Sequence, residues 1–212
     1  MKKIAFFICL LAVSVAAARA QESRQDISLS GSALIEPYKA SSTDIQVHST
    51  TAYGGLASYR FMLTPTSALE ANYGLTYQNK INYYSISFCG TDPSCPGINV
   101  LTRTQEISGA YVRSFVFKNF NPFVEAGPAA IIFMPILNSG TKLLDAHRET
   151  TIGAMYGAGF AYEISPSFDL RVEYRGLVTK VPTFGVGTQN YNFTTNEWWN
   201  MSEPLVGVAY HF

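Results

Sequence analysis

His48-Ser49, Asp92 and Ser94 are the residue types that acyl-transfer chemistry needs. A serine supplies the nucleophile, a histidine the base and a carboxylate the orienting charge. Geometry rather than presence defines such a set. Asp92 and Ser94 flank Pro93, and Cys89 and Cys95 bracket all three. Serine, aspartate and histidine are also ordinary surface-loop residues, so no catalytic residue is assigned and the chain is not expected to be an enzyme. His147 sits in Asp145-Ala146-His147-Arg148-Glu149, a polar run that reads as a solvated loop.

Cys89 and Cys95 pair by default in an oxidising compartment. Closing so short a loop contributes about 2 kcal/mol on the chain-entropy account. The alternative is a metal site, for which two thiolates without nearby histidine are a poor ligand set. No metal or cofactor is expected.

The second kind of chemistry is electrostatic. In Phe168-Asp169-Leu170-Arg171-Val172-Glu173-Tyr174-Arg175 the apolar residues fall on one face of a strand and the charges on the other. Leu69 to Gln78 and Tyr53 to Leu63 repeat the alternation, and their polar sets are rich in Gly, Ser and Thr but poor in Lys. A solvated face carries plentiful Lys and Glu; a tight polar interior does not. Charged residues make up 14% of the chain and aromatics another 14%, against about 25% charged in a soluble domain. No apolar run beyond the N-terminal stretch is long enough for a spanning helix; the longest, Pro128 to Leu137, is broken by Pro135. A chain that faces lipid without spanning helices closes into a β-barrel.

The N-terminus adds an export signal. Lys2 and Lys3 precede the uncharged apolar stretch Ile4 to Val15, and Ala18-Arg19-Ala20 fits a cleavage site. Residues 1–20 are expected to be a signal peptide and residues 21–212 the domain. Removing that segment takes away Lys2, Lys3 and Arg19 and leaves 12 basic against 15 acidic residues, a net of −3. That balance excludes nucleic acid as a partner.

Alternation places strands near 26–36, 49–63, 67–80, 101–117, 122–136, 150–164, 167–180 and 197–212. Short turns alternate with long connections near 37–48, 81–100, 137–149 and 181–196, as in outer-membrane barrels. The sequence ends on Val206-Gly207-Val208-Ala209-Tyr210-His211-Phe212. Val208, Tyr210 and Phe212 on one face, with a terminal Phe, resemble the assembly signal of bacterial outer-membrane proteins. The chain as a whole resembles the small OmpA/OmpX-type outer-membrane β-barrel family.

The resemblance implies an all-β fold, an eight-stranded antiparallel up-and-down transmembrane β-barrel, monomeric, in the bacterial outer membrane with both termini periplasmic. It implies outer-membrane lipid and lipopolysaccharide as surroundings, and the barrel-assembly machinery and periplasmic chaperones as partners during biogenesis. Such an interior is only wide enough to be filled by side chains. Arg60, Glu70, Arg113, Glu125, Glu163, Asp169, Arg171, Glu173 and Arg175 are the expected lumen ion-pair network, since buried charges must be paired. Function then lies in the long loops as a structural or surface-interaction role. The alternatives are a narrow porin-like channel, a conduit for small hydrophobic molecules, or a lipid A-modifying enzyme of the palmitoyltransferase kind. The aromatics Tyr83-Tyr84, Phe88, Phe184, Tyr191, Phe193 and Trp198-Trp199 are expected to form the outer girdle or to pack the loops. A soluble lipocalin is the rival fold and would reverse the two faces.

Overall fold

The computed structural model describes residues 25–37, 39–40, 45–85, 98–136, 147–185, 187–188, 191–192 and 196–212. The signal segment, Cys89, Asp92, Ser94, Cys95, Phe88 and Phe193 lie outside them. Twelve strands occur among the described residues and no helix. They are β1 (Gln25–Leu34), β2 (Lys39–Ala40), β3 (Ile45–Ser49), β4 (Ala52–Thr64), β5 (Ser67–Ser85), β6 (Ile98–Ser114), β7 (Phe120–Pro135), β8 (Glu149–Ser165), β9 (Phe168–Lys180), β10 (Gly187–Thr188), β11 (Tyr191–Asn192) and β12 (Trp198–His211).

Eight of these strands form the wall. Neighbours pair antiparallel in the order β1, β4, β5, β6, β7, β8, β9, β12, and β12 returns to β1 through Ile27↔Tyr210 and Gly31↔Val206. Closure leaves no free edge among them, which is what a sheet in hydrocarbon requires. Following paired residues once around runs from Gln25 through Phe61, Leu69, Tyr111, Ala126, Tyr156, Gly176 and Ser202 to Ile35. The ladder therefore advances ten residues per circuit, from Gln25 to Ile35, and such a stagger forces the strands to tilt strongly to the barrel axis.

The turns at Pro65-Thr66, Lys118-Asn119 and Pro166-Ser167 gather at one end, with the start of β1 and the end of β12. The long connections gather at the other. The strands rise further there than alternation alone indicates. β3 continues the register of β4 against β5, with Ser49↔Ile81 following Tyr53↔Tyr77. β2 pairs on the outer side of β3. The segment 37–48, expected to be a loop, is thus partly strand.

One irregularity governs the upper wall. The β5–β6 register shifts between Thr76 and Asn79. Below it Glu70, Asn72 and Thr76 point inward; above it Asn79, Ile81 and Tyr83 do. β3 and β4 switch faces in step, from inward Ala52 to inward Val47 across the break at Thr50-Thr51. A bulge adds one residue and so reverses which side chains face the core.

The outer face is apolar. Ile27, Leu29, Val206, Val208, Tyr210 and Phe212 are all exposed, as are Tyr53, Tyr73, Tyr77, Ile107, Val124 and Tyr174. Gly176 on this face is buried because the Tyr156 ring lies over it; a Cβ there would stand 2.3 Å from that ring. Gly176→Val should therefore displace Tyr156 and lower the unfolding midpoint in detergent, by about 1–3 kcal/mol as in overpacked sites.

Candidate functional site

The interior divides into a charged region and an apolar region. The charged region is built from β1, β4, β5, β6, β7, β9 and β12. Arg60 Nε donates to Glu70 Oε2 at 2.6 Å. Arg171 lies 3.2 Å from Asp26 and 3.5 Å from Glu70. Both guanidinium groups stand over the Phe123 ring, at 4.7 and 5.8 Å, which provides a cation–π contact within the lumen. Arg175 is fully buried. It donates to Glu106 and lies 3.6 Å from Glu125, 3.7 Å from Glu173 and 3.6 Å from Glu203. His211 Nε2 is 2.9 Å from Asp169 Oδ2.

Alternation brings Arg60, Glu70, Glu125, Asp169, Arg171, Glu173 and Arg175 to the inside. It does not bring Arg113 there. Arg113 is exposed on the outward parity of β6 near the short-turn end, donating to Ser67 Oγ at 2.9 Å. Placing it in the lumen is incorrect, because β6 runs without a bulge and Glu106 takes the inward parity. Glu163 points inward but is half-buried next to Asp169 at the rim, and no ion pair within 4.0 Å ties it to the network. Three members were not foreseen: Asp26, Glu106 and Glu203. The parity that turns Leu205 and Gly207 inward extends back to Glu203, so that signal was present.

The apolar region fills the long-loop end. Leu34, Ile81, Tyr83, Phe133, Met155, Leu177, Phe184, Trp199 and Met201 are among its buried members. Tyr83, Phe184 and Trp199, expected in an outer girdle or in loop packing, point into the barrel; the bulge after Thr76 turns Tyr83 inward. Trp198 does face outward, with Lys180 Nζ 5.9 Å from its ring.

Phe184 is part of this apolar cluster. Its ring packs edge-on against Tyr83 and Phe133, at 6.3 and 6.2 Å between centroids. Its backbone has φ +53°, followed by Gly185 at φ +65°, a left-handed pair that is uncommon for a bulky residue. Glu149 holds the bend: its Oε2 accepts from Thr183 N at 2.6 Å and Phe184 N at 2.7 Å. His147 N donates to the Phe184 carbonyl at 3.0 Å. Tyr83 Oη donates to the Pro182 carbonyl at 2.6 Å.

Glu36, just past β1, is buried beside this plug and accepts from Asn79 Nδ2 at 2.6 Å. Ser49 Oγ bonds Asn79 Oδ1 at 2.6 Å. Burial pushes the Glu36 carboxyl up to about 7, against the lowering effect of those hydrogen bonds. A raised carboxyl favours the folded state most at low pH, and that contribution fades as pH rises from about 4.5 through 7. The unfolding midpoint should thus fall between pH 5 and 8, and Glu36→Gln should flatten that slope. An unchanged slope in the variant would show that Glu36 does not carry it.

His48 and Ser49 are consecutive on β3 and point to opposite sides: His48 is exposed while Ser49 turns to Asn79. They cannot act together as base and nucleophile. Among the described residues no group of three or more His, Cys, Asp or Glu is arranged to hold a metal, and no helix is long and apolar enough to cross a membrane.

A closed barrel with an apolar outer face and a side-chain-filled interior matches one family across nearly the whole chain. The outer membrane protein beta-barrel domain family matches residues 5–212. The chain belongs to that family. Its location is the bacterial outer membrane. No curated protein matches the sequence. Among solved structures, Neisserial surface protein A aligns with TM-score 0.59 at 16% identity, over 90% of this chain and 98% of that one. OprG from Pseudomonas aeruginosa aligns with TM-score 0.57 at 11% identity, over 91% and 97%. Ail, the attachment invasion locus protein of Yersinia pestis, was solved with the heparin analogue sucrose octasulfate; it aligns with TM-score 0.53 at 11% identity, over 91% and 100%. At these identities the likeness is one of fold. This member of the outer membrane protein beta-barrel domain family thus has the architecture of those small barrels, with its own interior.

Proposed function

We propose that this chain is a monomeric integral barrel that acts through its long loops, as a structural or surface-interaction protein without enzymatic activity. The supporting observation is the interior. Buried ion pairs fill one part and Phe133, Phe184, Trp199 and Met201 fill the other, so the wall offers no wide path for solutes. The loops are what remains to meet a partner, and binding residues concentrate on loops carried by rigid scaffolds. Ail, a barrel of the same fold, was crystallised with a heparin analogue, and a surface role of that general kind fits here. In this reading the short-turn end and both termini face the periplasm, the signal segment is removed on export, and Cys89 and Cys95 form a bridge in the second long loop.

The test is loop replacement. Exchanging residues 86–97 and 137–146 for short turns should leave a barrel that folds and stays in the membrane through carbonate washing. Cells displaying it should lose adhesion to sulfated glycans or host matrix that the full chain confers. Equal adhesion by the two, or release of the full chain by carbonate, would count against the proposal.

A second reading is a conduit for small hydrophobic molecules, favoured by the apolar long-loop half of the lumen. It requires Phe184 to leave its place. Uptake of an apolar solute by vesicles holding the protein, abolished when Phe184 is fixed by a disulfide to a β7 cysteine, would support it.

A further inference from the structure

β12 closes the barrel, paired with β9 on one side and β1 on the other. Its register against β9 runs unbroken from Trp198↔Lys180 to Tyr210↔Phe168. Its register against β1 has less to define it. β1 turns Ser28, Ser30 and Ser32 inward and Ile27 and Leu29 outward. β12 turns Gly207 and Ala209 inward and Val206, Val208 and Tyr210 outward. A slip of two residues keeps every side chain on its own face, because side chains alternate with period two. Serine would still meet glycine or alanine inside, and apolar residues would still meet outside. The stagger of ten residues per circuit would become eight or twelve, ten minus or plus two.

Charged groups break this degeneracy. Arg171 on β9 lies opposite Gly207 and reaches across the inner face of β12 to β1. Its Nη1 donates to Ser28 Oγ at 3.1 Å and its Nη2 to Asp26 Oδ2 at 3.2 Å. Between them β12 turns Gly207 and Ala209 inward, both short enough to be crossed. A Cβ at Gly207 would stand 2.1 Å from Ser30 Oγ and 2.3 Å from the Leu29 carbonyl oxygen, so the two strands are in close contact there. His211 on β12 faces Asp26 across the seam. Its Nδ1 is 3.8 Å from Asp26 Oδ2 and its Nε2 is 2.9 Å from Asp169 Oδ2 on β9.

Both slipped registers lose these partners. Slipped one way, Ser28 takes the place of Asp26 opposite His211, and Arg171 meets no carboxylate on β1. Slipped the other way, Arg24 takes that place and sets a third cation beside Arg171 and His211. A buried guanidinium that loses its carboxylate is strongly destabilising, and Arg171 is 2% exposed. We propose that Arg171, Asp26 and His211 form a strap that selects the register in which β12 closes against β1, and with it the stagger of the barrel.

The experiment uses the full mature chain with Cys89 and Cys95 changed to serine and Val208→Cys added. A second cysteine replaces Ile27, Leu29 or Gly31, one per chain. Leu29 faces Val208 in the native register; Ile27 or Gly31 faces it after a slip of two residues in either direction. Directly opposed positions form a disulfide readily, whereas diagonal neighbours, about 7–8 Å apart, form it poorly. Each chain is refolded from urea into phosphatidylcholine vesicles, oxidised with diamide and read by mobility on non-reducing gels. Without further change, crosslinking should be confined to the Leu29 position. Arg171→Met should raise crosslinking at the Ile27 or Gly31 position several-fold. Asp26→Ala should do the same, and it reads the register even where Arg171→Met does not fold. Phe184→Ala, which loses packing at the opposite end, should keep the original pattern. Crosslinking confined to Leu29 in the Asp26→Ala chain would overturn the proposal. So would an equal spread in Phe184→Ala, which would make register loss a consequence of any destabilisation.

Discussion

Replacing Arg175 with methionine is expected to produce the largest loss of stability of any single interior substitution. The change keeps a side chain of similar reach and removes the guanidinium. Glu106, Glu125, Glu173 and Glu203 would then face one another without a cation between them. Removing one partner of a single buried pair costs about 3–5 kcal/mol, and here four carboxylates lose their common partner at once. Urea unfolding in detergent, read from the mobility difference between folded and unfolded bands on unheated gels, measures the effect. Adding Glu106→Gln to the same chain should recover part of the loss, since it removes the carboxylate that Arg175 contacts most closely. Arg113→Ala is the matched control. Arg113 is exposed outside the network, and substitutions of that sort stay within about 0.5 kcal/mol. If Arg175→Met and Arg113→Ala unfold at the same urea concentration, the paired network does not hold the interior together.

Phe184→Ala should have the second-largest effect, and of a different kind. Its ring is buried between Tyr83 and Phe133, and truncating a buried phenylalanine costs about 3–5 kcal/mol. Alanine tolerates the left-handed backbone of position 184 no better than phenylalanine, so no relief of backbone strain offsets that cost. The structural consequence is access. With the ring gone, the apolar cluster that also holds Phe133 and Trp199 loses part of its packing at the long-loop end. A cysteine placed at Thr179, in a chain with Cys89 and Cys95 changed to serine, should react with a membrane-impermeant maleimide on whole cells when Phe184 is alanine. It should stay unreactive when Phe184 is present. Labelling at equal rates in both would mean that the Phe184 ring does not limit access there.

Much of the barrel was legible in the sequence because one periodicity carried it. The alternation in Phe168–Arg175 and in Leu205–Phe212 assigned inside and outside correctly, since nothing interrupts those strands. Where a bulge intervenes, the same rule reverses. Tyr83 reads as outward if the parity of Leu69–Tyr77 is simply continued, yet it is fully buried, because the β5–β6 register slips after Thr76. No residue in Tyr77-Gln78-Asn79 marks that slip. Arg113 was misplaced for a different reason: β6 runs in unbroken alternation, so with Glu106 inward, Arg113 falls on the outer face. Glu106 and Glu203 follow from parity alone, but their gathering around Arg175 depends on the tilt and the ten-residue stagger between Gln25 and Ile35, which alternation does not encode. The plug at Phe184 was equally out of reach. It rests on Glu149, at the start of β8, meeting the backbone of Thr183 and Phe184 beyond β9, a contact between segments distant in sequence.

The central claim is that the lumen is filled and that function resides outside it. Planar-bilayer recording with the folded, detergent-purified chain tests this most directly. Unmodified protein should show no steady conductance, with at most small and rare openings, while Phe184→Ala combined with Arg175→Met should increase their frequency. A stable, frequent conductance from the unmodified chain would contradict the filled interior and favour the channel reading over the surface role.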